Sequence, residues 1–113
     1  MMEDGESQMI VPRYKMIMAY DIIPATRDVY YQFVLGEFVP GLQEMGLFMT
    51  EAWHTAYGDH PLRMAIFVAE DMETITAAME SERWEDLETR LRRYVANYTC
   101  KIVPYRQGFQ IPG

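Results

Sequence analysis

Two histidines, His54 and His60, stand in the run EAWHTAYGDHPL, with Glu51 three residues ahead of the first. An imidazole titrates near neutral pH, so His54 is a candidate general base. Its competing role is an interface histidine hydrogen-bonded to a carboxylate. Glu51 is the second catalytic candidate. Turned inward beside Trp53 and Val68, its carboxyl would be raised in pKa by burial and suited to proton transfer. Turned outward, it would reach solvent or pair with a Lys or Arg. Tyr20 and Tyr57 could donate hydrogen bonds to a substrate oxygen. Trp53 and Trp84 could wall an apolar ligand pocket, although tryptophans more often anchor a core. The His54 to His60 spacing matches no helical zinc pair, and Cys100 is the single cysteine. Neither a metal site nor an internal disulfide is expected. Cys100 lies in a β-like run and reads as a small buried hydrophobe. There is no glycine-rich phosphate loop and no nucleophile elbow, so no cofactor is implied.

These residues hang on a hairpin, Leu47 to Glu70, turning at GDHP, Gly58 to Pro61. If Tyr57 pairs with Leu62, side-chain alternation puts Glu51, Trp53, Thr55 and Tyr57 on one face with Leu62, Met64, Ile66 and Val68. The other face carries Thr50, Ala52, His54 and Ala56 with Arg63, Ala65, Phe67 and Ala69. The first face, with its larger apolar groups, is expected to meet the helices. The second is small and mostly apolar, and needs another cover.

Around the hairpin, Arg13 to Ile22 alternates as a strand. Thr26 to Met45 carries apolar residues at helical spacing, with Thr26 as N-cap and Gly46 as the residue ending the helix. Pro40 should kink that helix, since its ring crowds the carbonyl of Gly36. Asp71 and Ser81 can cap two further helices. The second is expected from Glu82 to about Ala96, with Trp84, Leu87, Leu91, Tyr94 and Val95 buried. Its acidic residues come first and its arginines last, matching the helix dipole. A last strand is expected from about Tyr98 to Tyr105. Residues 1–12 read as a flexible N-terminal arm, and 13–113 as one domain.

The order strand, helix, strand, strand, helix pair, strand is the α+β, ferredoxin-like pattern, β-α-β-β-α-α-β. It predicts a four-stranded antiparallel sheet with helices on one face. The face without helices then invites a second copy of the chain, since extended apolar patches mark interfaces. The 113 residues suit a single modest core. The formal charge of −7 and pI near 4.7 argue against nucleic-acid binding and against docking on an anionic membrane. MMEDGESQ carries no apolar signal region, and no run is long enough to span a bilayer, so a cytoplasmic location is expected.

The hairpin EAWHTAYGDHPLRMAIFVAE, the long first helix ending at Gly46, and DMETITAAMESERWEDL after the hairpin resemble the dimeric α/β-barrel superfamily. Within it the chain looks most like the NIPSNAP-like and antibiotic-biosynthesis-monooxygenase-like small proteins. Those share an acidic residue, a short helix, a small break, an aromatic residue and a helix. Here these are Glu70-Asp71, Ala77-Ala78, Ser81 and Trp84. The resemblance covers about Arg13 to Tyr105. It implies a homodimer packed sheet to sheet as an α/β barrel, with a small apolar pocket between sheet and helices in each subunit. Some members are cofactor-independent oxygenases of aromatic compounds, and others bind or degrade haem. Trp53, Trp84, His54 and Asn97 do not lie position by position on the Asn, Trp and His set of the haem-degrading members. The expectation is a homodimeric NIPSNAP-like protein with a small apolar ligand. The alternative is a small cofactor-independent monooxygenase or isomerase acting on an aromatic or enolisable compound.

Overall fold

A computed structural model describes residues 11–57 and 60–105, with the side chains of 55–62 left aside. The expected arm therefore falls outside the described residues except for Val11 and Pro12, and so do Gly58 and Asp59 of the turn. Strand β1 (Tyr14–Ile22) leads through a short 3-10 turn, Pro24–Thr26, into helix α1 (Arg27–Phe33). A π-helical turn, Val34–Phe38, joins α1 to α2 (Val39–Glu44). Then come β2 (Phe48–Tyr57), β3 (His60–Ala69), α3 (Met72–Met79), α4 (Glu82–Leu91) and β4 (Val95–Pro104). The sheet order is β2-β3-β1-β4, and every pairing is antiparallel. The helices pack on one face of this sheet, as the element order predicts.

Local chemistry explains the breaks. Pro40 has no N–H to give to Gly36, and its ring crowds that carbonyl. The chain answers with one wide turn, in which the Val39 N–H donates to Val34 O five residues back. This wide turn stands where a kink is expected. Gly46 has φ of +90°, a conformation that side chains resist, and a Cβ there would lie 2.7 Å from Thr74 Cγ2. Asp71 accepts from the Thr74 N–H at 2.7 Å, and Ser81 accepts from the Trp84 N–H at 3.1 Å, both as capping chemistry requires. Thr26 differs from expectation. It occupies the cap position of α1 without capping, and its hydroxyl donates backward to Ile23 O (2.9 Å) and Tyr94 O (3.2 Å). It ties the start of α1 to the loop before β4. Helix α4 ends earlier than its apolar spacing predicts, and β4 begins at Val95 rather than Tyr98. Asn97, at φ 57°, sits within a register shift of β4 against β1. That irregularity lets the strand start on the buried Val95.

The hairpin closes with Tyr57 opposite His60, not opposite Leu62. Both registers keep the same residues together on each face. The sides, however, are the reverse of those expected. Met16, Met18 and Tyr20 of β1 pair with Phe67, Ala65 and Arg63, and Met16, Met18, Tyr20, Ala65, Phe67 and Ala69 are all buried. The helices therefore lie over Arg63, Ala65, Phe67 and Ala69. The small alanines let Phe33, Phe38, Trp84 and Leu87 fill the layer between sheet and helices. The larger set, Trp53, Met64, Ile66 and Val68, belongs to the helix-free side. On β2 a bulge at Thr50 shifts the register between Met49 and Glu51, so Phe48 opposite Val68 and Glu51 opposite Ile66 both stay on that side.

Candidate functional site

The antiparallel register aligns a row across the helix-facing side of the sheet. His54 of β2 lies opposite Arg63 of β3, and Arg63 lies opposite Tyr20 of β1. Tyr98 of β4 continues the row, its ring 6.3 Å from that of Tyr20. Helix α1 closes over it with two adjacent tyrosines. Tyr30 and Tyr20 share a hydrogen bond of 2.6 Å between hydroxyls, and Tyr31 packs edge-on to Tyr30 at 4.9 Å. The Arg63 guanidinium stands 5.8 Å from the centre of the Tyr31 ring.

This row combines a cation, phenols and an imidazole. Tyr20 is 3 % exposed and Tyr30 is wholly buried. Burial pushes the Tyr20 phenol far above the ordinary tyrosine range, and its neighbour Tyr30 pushes it further. Burial also raises Tyr30, but the bond with Tyr20 and the Arg63 charge pull the other way. Either hydroxyl can be the donor in this bond. On the far side of the row Tyr98 donates to Glu88 Oε2 at 2.7 Å, with the Arg92 guanidinium 4.5 Å from its ring centre. Burial, then the bond to Glu88, raises the Tyr98 phenol, and burial raises the Cys100 thiol. A raised thiol suits Cys100 to packing, not attack.

Of the expected site residues, Tyr20 and His54 meet in this row, and His54 is exposed at its β2 end. Glu51 and Trp53 do not join them. They lie on the helix-free side, where the exposed Trp53 donates its indole N–H to Glu51 Oε1 at 2.9 Å. Glu51 is exposed and is not the inward carboxylate the expected faces required. Trp84 is 4 % exposed in α4 and packs against Phe38, so it anchors the core. The side chain of Tyr57 is outside the described residues. Arg63, Tyr30 and Tyr31 are the site residues that sequence reasoning did not pick. Once Tyr20 is assigned inward, antiparallel pairing brings Arg63 with it. An arginine on an inward strand position is the signal that was available. Among the described residues no group of three metal-ligating side chains is present. A shallow apolar groove of about 330 Å³, lined by Met45, Thr74, Ala77, Ala78 and Ser81, opens near the other end of the sheet.

No protein-family model matches the chain, and no curated protein matches it. Solved structures do resemble it. A NIPSNAP family protein of Agrobacterium tumefaciens superposes with a TM-score of 0.62 at 14 % identity, covering 88 % of this chain and 90 % of its own. An uncharacterised NIPSNAP domain protein of Burkholderia xenovorans gives 0.64 at 9 % identity, covering 87 % and 99 %. A candidate monooxygenase of Fusobacterium nucleatum gives 0.63 at 10 % identity, covering 83 % of this chain and 44 % of its own. The chain has the α+β, ferredoxin-like fold of these NIPSNAP proteins.

Proposed function

We propose that the chain acts as a NIPSNAP-like homodimer that holds a small molecule in each subunit, beside Arg63 and Tyr31. The assembly rests on one observation, the apolar helix-free side of the sheet. Phe48, Trp53, Met64 and Ile66 lie there, with Trp53 56 % exposed and no helix over them. Burying such side chains is worth on the order of 1.5–3 kcal/mol each, enough to hold two sheets together. Met64→Glu would place a charge in that interface and leave the core untouched. In native mass spectrometry the parent chain is expected at the mass of two chains, and Met64→Glu at the mass of one with unchanged circular dichroism. A monomeric parent chain would defeat the sheet-to-sheet assembly.

A second reading is a cofactor-independent monooxygenase or isomerase acting on an aromatic or enolisable compound. It is favoured by the in-register order His54, Arg63, Tyr20. In it His54 removes a proton and the Arg63 charge steadies the enolate. On a substrate that turns over, His54→Ala is expected to lower kcat by about 100-fold or more with Tm unchanged. Turnover that survives the substitution would remove His54 from catalysis.

A further inference from the structure

Three arginines on α4 and at its C-cap are paired with carboxylates. Arg83 meets Glu44 at 3.0 Å, Arg90 meets Glu37 at 2.8 Å, and Arg92 meets Glu88 at 3.7 Å. Arg63 lies on the helix-facing side of the sheet. It is half-buried, and among the described residues no carboxylate pairs with it, although the chain carries 17 acidic residues against 10 basic ones. Its neighbours are the Tyr20 and Tyr30 phenols, which hold their protons, and the face of the Tyr31 ring. A cation withdrawn from water without a counter-charge is costly, and a guanidinium satisfies itself best with the two oxygens of a carboxylate.

We infer that the half-buried surface at Arg63 and Tyr31 takes a small aromatic carboxylate, its two oxygens on the guanidinium and its ring against Tyr31. This deepens the ligand reading proposed above and rests on it. The surroundings select this class. The buried Tyr20–Tyr30 pair offers Arg63 no negative charge, and among the described residues no carboxylate pairs with it, so a ligand anion would fill that role. Half-buried Tyr31 supplies an aromatic ring beside the guanidinium, against which a planar ring packs better than an alkyl chain. His54, exposed and opposite Arg63 on the edge strand, adds a polar group beside it. A neutral aromatic would leave the guanidinium uncompensated, and an aliphatic carboxylate would leave the Tyr31 ring uncovered.

The test is calorimetric titration of the full chain with benzoate, with benzamide and acetate as controls. Benzoate is expected to saturate the parent chain while both controls bind at least about tenfold more weakly. Arg63→Gln is expected to weaken benzoate about tenfold or more, and Tyr31→Leu to weaken benzoate but not acetate. If Arg63→Gln does not fold, Arg63→Lys keeps the charge, loses the planar fork, and is expected to bind benzoate more weakly than the parent chain. No saturation by benzoate up to about 10 mM overturns the inference, as does equal binding of benzamide. Native masses of the same samples separate the two proposals. A dimer that ignores benzoate overturns the ligand class and leaves the assembly. A monomer that takes benzoate through Arg63 overturns the assembly and supports the site.

Discussion

Trp84→Ala is expected to cost about 3–5 kcal/mol, and Trp53→Ala in the separated chain well under half of that. Both are tryptophan truncations, so the contrast isolates burial. Trp84 stands at the third position after the Ser81 cap, is 4 % exposed, and packs its ring 6.4 Å from Phe38. Beside it on the same face of α4, Leu87 approaches Gly41 so closely that a Cβ there would lie 2.8 Å from Leu87 Cδ1. Helices this close cannot collapse far into a void, so the cavity left by the indole persists and its cost adds to the lost burial. In a domain of this size the loss lowers Tm by roughly 12–20 °C. Trp53 has over half its surface in solvent and one hydrogen bond, to an exposed Glu51. Its removal changes little in a single subunit, and its weight would fall on assembly. Thermal melts of both variants, each taken at a concentration where the chain is monomeric, check the difference. Equal losses would show that Trp53 is part of the core after all.

The pair also shows what the sequence could reveal. Trp84 recurs with Leu87 and Leu91 at helical spacing behind a cap, so its burial was readable from one stretch of chain. Trp53 alternates correctly within a strand, but alternation states only which residues share a face. It is silent on which face meets the helices. That choice depends on β1, where Met16, Met18 and Tyr20 select Phe67, Ala65 and Arg63 across a long-range pairing. Size misled as well. Ala65 and Ala69 looked like a poor core face beside Met64, Ile66 and Val68, yet small residues are what a sheet needs where bulky helix side chains descend on it. The caps, the proline break and the turn at Gly46 were legible because each is a local response of the backbone to one residue type. Arg63 and Tyr30 escaped because their meaning arises only when three strands and a helix are brought together. Tyr20 and His54 lie on the helix side and Glu51 and Trp53 on the other for the same reason: the side of the sheet was reversed while the register parity held.

The Tyr20–Tyr30 hydroxyl pair should make the two single substitutions unequal and the double one mild. The two hydroxyls lie 2.6 Å apart, with Arg63 beside Tyr30. Tyr30→Phe leaves the buried Tyr20 hydroxyl without its partner, a cost of about 1–3 kcal/mol. Tyr20→Phe leaves the Tyr30 hydroxyl with Arg63 still beside it, so the cost is smaller. The double change to Phe removes both ends of the bond and is expected to cost less than the sum of the singles. Alkali should then separate the variants further. Below pH 10.0, the ordinary tyrosine value, the folded and unfolded chains both keep the Tyr20 proton. Above it the unfolded phenol ionises while the buried one holds its proton, so rising pH favours unfolding. Tyr20 alone contributes up to about 1.4 kcal/mol of lost stability per pH unit in that range. Tyr30 and Tyr98, both raised by burial, act in the same direction. Urea unfolding of the parent chain between pH 8 and 11 is expected to show a fall in stability that begins near pH 10.0. The fall should be shallower in Tyr20→Phe and shallower still in the double variant. A parent chain whose alkaline slope matches the double variant would mean that these phenols ionise freely, and that water reaches the Tyr20–Tyr30 pair.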